Sequence, residues 1–126
     1  MSTLAVGTIK SVSSAAPVFQ NTSGTEKGQL AKIWCSWNGI GTVSIYDSFG
    51  VSSVTDNGTG DFILNFSNNM SNTNYAFTWA SGGLIWNGLQ DYRTTSTLRC
   101  LAMSRTDAPY TQDDSNINCI AIFGDN

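Results

Sequence analysis

Two carboxylates bracket a glycine-rich stretch, Asp56-Asn57-Gly58-Thr59-Gly60-Asp61, a composition that can offer oxygen ligands to calcium. The twelve-residue calcium loop and its terminal glutamate are missing, and alternating runs flank the stretch. A hairpin turn accounts for the glycines, and no metal site is expected. Glycoside hydrolysis would need two carboxyl groups about 5 to 10 Å apart, one of them tuned by an apolar environment. Glu26 is the single glutamate and lies in a weakly anchored segment, while Asp107, Asp113 and Asp114 fall in turn-like sequence, so no such pair is marked. The chain has no histidine, which removes the commonest general base and metal ligand, and with it the Ser-His-Asp, Cys-His and His-zinc constellations. The expectation is a non-catalytic protein that needs no cofactor.

Aromatic chemistry is the better prospect. Trp34, Trp37 and Trp79 sit in alternating apolar runs, where packing in a core or between subunits is expected. Trp86 differs: it lies in Gly83-Leu84-Ile85-Trp86-Asn87-Gly88 beside a turn, followed by Asp91, Tyr92 and Arg93 in a polar loop. An aromatic face stacked on a sugar ring, with amide and charged groups at the hydroxyls, is a common receptor-binding arrangement. Trp86, Asn87, Tyr92 and Arg93, with Tyr110 from the other long loop, are therefore the candidate receptor-binding set. Core or interface packing is the competing reading for Trp86.

The elements that must position these residues alternate with a period near two. Ala31, Ile33, Cys35 and Trp37 share one strand face with Trp34 on the other; Phe62, Leu64 and Phe66 form a second set; Tyr75, Phe77 and Trp79 form a third. Thr42 to Phe49 places Val43, Ile45 and Phe49 together, although Asp47 falls in the same register and is expected at a strand end. Leu98, Cys100 and Ala102 alternate with Arg99 and Leu101. Ile117, Cys119, Ala121 and Phe123 alternate with Asn118, Ile120 and Ile122, so this last strand is apolar on both faces and is expected to be covered on both. Turn signals separate the runs at 38–41, 56–60, 81–83 and 87–88. No helical stripe of useful length occurs, and the pattern predicts an all-β chain, a compact antiparallel β-sandwich of about seven to nine short strands.

Residues 1–28 differ from residues 29–126. Leu4, Val6 and Ile9 could form one strand, and the rest is rich in Ser, Thr, Ala and Gly around Ala16-Pro17-Val18-Phe19. The reading is an extended N-terminal arm, with Pro17, Val18 and Phe19 docking on a partner, or else a partly ordered tail. Cys35, Cys100 and Cys119 are odd in number and widely spaced, which fits buried free thiols and a reducing compartment. Ser, Thr, Asn and Gly exceed two-fifths of the 126 residues, charged residues make up 12%, and the net charge is −3. That balance argues against nucleic-acid binding. No segment resembles a leader or a membrane span, and the Asn-x-Ser/Thr triplets at Asn21, Asn57, Asn65 and Asn69 follow from composition.

The block Ile33-Trp34-Cys35-Ser36-Trp37-Asn38-Gly39, Gly41 to Phe49, Val51-Ser52-Ser53-Val54-Thr55-Asp56-Asn57-Gly58-Thr59-Gly60-Asp61-Phe62, then Asn65-Phe66, Met70 and Tyr75-Ala76-Phe77, resembles a module of tail-fibre and other virion appendage proteins of tailed bacteriophages, cyanophages among them. Val6 to Lys10 and Ala16 to Glu26 are similar to the segment that precedes the module. The resemblance implies a β-rich, usually trimeric virion structural protein that takes part in host attachment without catalysis, assembled in the host cytoplasm. Such modules commonly follow a long stalk, whereas this chain is nearly all module, which suggests a separate tail-fibre or fibre-tip subunit. The expected partners are other copies of the chain, other appendage, baseplate or capsid proteins, and a host surface glycan or protein. A capsid decoration, cement or head-fibre protein is the alternative, and a small carbohydrate-binding module the second.

Overall fold

The computed structural model describes residues 5–11, 17, 19–82, 85–86, 92–104 and 111–125. The chain divides into two compact units, residues 1–30 and 31–126. In the first, β1 (Phe19–Gln20) and β2 (Glu26–Gly28) pair antiparallel. The Asn21 side chain closes their turn by accepting from the backbone N–H groups of Ser23 and Thr25, and Gly24 takes a positive φ of 77°. Of the described residues here only Pro17 is half-buried; the others, Phe19 included, are exposed, and Val18 lies outside the described residues. The strand expected around Leu4, Val6 and Ile9 is not present in residues 5–11, and Leu4 is not described. Val6 and Ile9 are three apart, a spacing that does not share a strand face, and both side chains are exposed.

Among the described residues the second unit holds eight strands: β3 (Ile33–Asn38), β4 (Ser44–Phe49), β5 (Val51–Asp56), β6 (Asp61–Phe66), β7 (Ala76–Ser81), β8 (Ile85–Trp86), β9 (Thr97–Met103) and β10 (Asn118–Phe123). They form two four-stranded antiparallel sheets, β4-β3-β10-β7 (sheet I) and β5-β6-β9-β8 (sheet II), with no helix among the described residues. The hairpin β3-β4 stays in sheet I, the hairpin β5-β6 stays in sheet II, and the later strands shuttle between them. The inward rows of both sheets merge into one cluster: Ile33, Cys35, Trp37, Ile120 and Ile122 from sheet I meet Phe62, Leu64, Phe66, Leu98 and Cys100 from sheet II. At its centre Trp37 meets Phe62 edge-on at 6.0 Å and stacks on Trp79 at 6.4 Å. The arrangement is an all-β, sandwich-like fold, and burial of these alternate residues is its main source of stability.

Two β-bulges decide which side chains enter the core. Trp37 pairs with Ile45 and Ser36 with Asp47, so Tyr46 is an extra residue in β4. Ile45 points inward, but Asp47 and Phe49 are turned outward, Phe49 lying opposite the exposed Trp34. The expected set of Val43, Ile45 and Phe49 is therefore corrected: one bulge moves Phe49 to the outer face and lets Asp47 sit mid-strand in solvent. Ser52 is the extra residue in β5, which spaces the partly buried Val51 and Val54 three apart.

Glycines close the ends. At Gly60 (φ 64°) a Cβ would lie 2.4 Å from the Ala102 carbonyl oxygen and 2.7 Å from the Asp113 nitrogen. Only glycine lets the β5-β6 turn approach β9 so closely. At the same end Asn118, fully buried, donates from Nδ2 to the Ser115 carbonyl at 3.0 Å and accepts from the Ser81 hydroxyl at 2.8 Å. At the opposite end Tyr75 is buried and donates its hydroxyl to the carbonyls of Thr94 and Thr97.

Candidate functional site

The five residues expected to contact a receptor do not all come into view together. Trp86 is in β8, its backbone paired with Ala102 of β9, and its side chain is not among those described. Asn87 and Tyr110 lie outside the described residues. Tyr92 is half-buried, with the Arg99 guanidinium 4.9 Å from its ring centre. Arg93 turns instead to Tyr75, donating from Nη1 to the Tyr75 carbonyl at 2.9 Å with its guanidinium 5.8 Å from that ring. The adjacent residues Tyr92 and Arg93 thus serve different neighbours, which follows from the alternation of an extended chain.

Arg93 does line a depression. Tyr75, Ala76, Phe77, Thr78 and Trp79 form the rest of its wall, along β7, and its volume is about 460 Å³. That is within the range of small-ligand sites, and apolar ring surfaces beside a guanidinium and a threonine hydroxyl suit a sugar or a carboxylate. The sequence marked Arg93 by composition, but the β7 residues joined it only once β7 and the 92–98 loop were folded together.

A larger feature is the outward face of sheet I. Trp34 and Phe49 stand opposite each other on β3 and β4; Trp34 in turn faces Ala121, which faces Thr78. Tyr46 crosses β3 and donates its hydroxyl to the Asn116 carbonyl at 2.8 Å. The Ser36 and Cys119 side chains, 3.5 Å apart, belong to the same face. Among the described residues outside 1–30, the exposed large apolar side chains are Trp34 (37%), Ile40 (53%), Tyr46 (58%), Phe49 (59%), Ile117 (51%) and Phe123 (39%). All but Ile40 lie on this face, and Asp47 is the charged residue of its strands. The described outward rows of sheet II are more polar, although Ile63 and Leu101 lie half-buried among them. There the Asn65 amide donates to the Ser53 and Thr55 hydroxyls, and Arg99 grips Asp61 through both carboxylate oxygens. An apolar patch confined to one face of a folded domain marks an interaction surface.

Asp61, Cys35 and Cys100 are built into the structure. The hydrogen bonds from Arg99, helped by its charge and by Asn57, hold the Asp61 carboxyl below the usual carboxylate range despite partial burial. Burial pushes the Cys35 thiol up to about 11 and raises that of Cys100 further, which keeps both protonated. Cys35 and Cys100 are buried free thiols, but Cys119 is free and exposed, because it faces outward from sheet I. Among the described residues no three His, Cys, Asp or Glu side chains gather closely enough to hold a metal ion, and no helix is long and apolar enough to cross a membrane.

Comparison with known proteins returned no matching family model, no matching curated protein and no matching solved structure.

Proposed function

We propose that the chain is a structural subunit of a bacteriophage virion, a tail-fibre or fibre-tip protein that takes part in host-surface attachment without catalysis. In this reading residues 29–126 form a β-sandwich that assembles as a homotrimer, and residues 1–28 are an extended arm that connects it to other virion proteins. The observation that carries it is the outward face of sheet I, where the exposed aromatic side chains among the described residues of the domain collect on a surface nearly without charge. Such a face suits a subunit that a neighbour covers. The resemblance to phage appendage modules adds to this. Its most specific run, Val51 to Asp61, spans β5, the hairpin turn and the first residue of β6, and turns on Gly60.

The depression beside β7 favours a receptor contact within the same reading. Arg93 with the half-buried rings of Phe77 and Trp79 supplies the ring surface and hydrogen-bond donors that suit a host glycan. Antibody labelling of phage particles purified from a lysate in which this chain is produced is the test. Label at the tail or fibre tip is the expected outcome. Label spread over the capsid would replace the fibre reading with a decoration or cement protein, and a chain absent from particles would overturn the virion reading altogether.

A further inference from the structure

The outward face of sheet I has relief as well as apolarity. Phe49, Trp34 and Tyr46 raise a ridge over β4 and β3, whereas Ala76, Thr78, Ala80 and Ala121, with Cys119, leave a floor over β7 and β10. Phe123 and Ile117 stand at the two ends of the floor, six residues apart on β10 and its lead-in. We infer that the occupant of this face is a second copy of the same chain, the aromatic ridge of one copy seated on the alanine floor of the next. The inference rests on the self-assembly part of the proposed function and adds the surface and the way it is used.

Three observations favour a second copy over an unrelated partner. The first is complementarity: a surface that carries a ridge on one half and a matching floor on the other fits itself under rotation, and ring closure by such a contact is one of the standard ways homo-oligomers form. The second is charge. Asp47, at the margin on the edge strand β4, is the charge of the four strands' outward rows, so two copies meet without like-charge repulsion at the centre and without buried ions. The third is area. At about 150–250 Å² for a whole aromatic side chain, the exposed fractions of the four rings sum to about 400 Å². Ile117 and the small residues raise this to about 600 Å² per copy, so three copies closing a ring cover about 1,800 Å² across their contacts, against the roughly 1,200–2,000 Å² of a standard two-body interface.

Cys119 provides the readout. It lies on the floor, between Ser36 of β3 and Ala80 of β7, and is the exposed thiol of the isolated chain, whereas Cys35 and Cys100 are buried. Seating the ridge of a neighbour on the floor covers it. The full-length chain is to be measured by light scattering for native mass and by alkylation for the rate at which one thiol per chain reacts, alongside the double variant Trp34→Glu with Phe49→Glu. The expected result is a multimer whose Cys119 reacts at least about tenfold more slowly than in the variant, which runs as a monomer with unchanged circular dichroism. Ala121→Arg attacks the floor instead of the ridge. It is expected to give the same monomer and the same fast thiol, so a misfolded ridge variant does not leave the question open. A wild-type multimer whose Cys119 reacts at the variant's rate overturns this interface while leaving self-assembly standing. A wild-type monomer with a fast thiol overturns both.

Discussion

Replacing Gly60 with alanine isolates the contact on which the β5-β6 turn depends, and Gly41→Ala is its control. Both glycines have nearly the same backbone, φ 64° and 68°, but nothing lies within 4 Å of a Cβ at Gly41. The control therefore reports left-handed strain alone, about 1–2 kcal/mol, offset by about 0.4–1 kcal/mol from the reduced freedom of the unfolded chain. A net loss of about 1 kcal/mol is expected. At Gly60 the new methyl group would lie 2.4 Å from the Ala102 carbonyl oxygen and within 3 Å of both the nitrogen and the oxygen of Asp113. These are backbone atoms and cannot rotate away. The turn must lift off β9, breaking the Ala102 N–H bond to the Gly60 carbonyl at 2.8 Å and the Gly60 N–H bond to the Asp114 carboxylate at 2.7 Å. Each costs about 1–3 kcal/mol when its buried groups are left unpaired. Gly60→Ala should thus lose about 3–5 kcal/mol, at least about 2 kcal/mol more than the control. Urea unfolding followed by tryptophan fluorescence, at one protein concentration for all variants, measures the difference. Two losses that agree within about 0.5 kcal/mol would refute the argument that close approach, and not backbone conformation, holds glycine at position 60.

Leu64→Ala removes a fully buried side chain at the centre of β6 and is expected to cost about 2–5 kcal/mol, read from the urea midpoint. Asp61→Asn breaks the grip of Arg99 and should cost about 1 kcal/mol near neutral pH, since the guanidinium is more than a third exposed. Because the folded Asp61 is held below its unfolded pKa, its contribution is fully present above about pH 4 and fades as pH falls through the folded value. Stability of the wild type and of Asp61→Asn should therefore converge in acid, and a gap that widens there would contradict the assignment. Asn118→Leu leaves the Ser81 hydroxyl without its acceptor and takes one of two donors from the Ser115 carbonyl, which keeps the Gly39 N–H, and is expected to lower the thermal midpoint, whereas the exposed Asn68→Ala is not.

Much of the core was legible in the alternation. Ile33, Cys35 and Trp37 face inward with Trp34 outward, and Phe62, Leu64 and Phe66 and then Leu98, Cys100 and Ala102 follow the same rule. Where the period broke, the reading broke with it. The extra Tyr46 reversed the side taken by Phe49, and the extra Ser52 spaced Val51 and Val54 three apart, so β5 carried no strand signal of its own. β10 was expected to be covered on both faces, but within the single chain Asn118, Ile120 and Ile122 form a buried inner row while Ile117, Cys119 and Phe123 stay exposed. Of the site, Arg93 was marked by its residue type. The wall opposite it came from β7, a strand whose residues had been assigned to packing, because only the tertiary fold brings Tyr75 within reach of Arg93. The ridge and floor were invisible for the same reason: they come from rows on four strands that are distant along the chain.

The bulge at Tyr46 also changes what a loss of length does to this domain. In a regular strand, deleting one residue passes every later side chain through the sheet and exchanges core for surface. β4 carries its surplus residue already, so removing Tyr46 restores an unbroken ladder in which Ile45 still points in and Phe49 still points out. The same deletion in β3, β6 or β10 would empty half the core. β4 is thus the one strand of sheet I whose outer surface can be trimmed by a codon without touching the interior, and lineages can remodel that surface through length as well as through substitution.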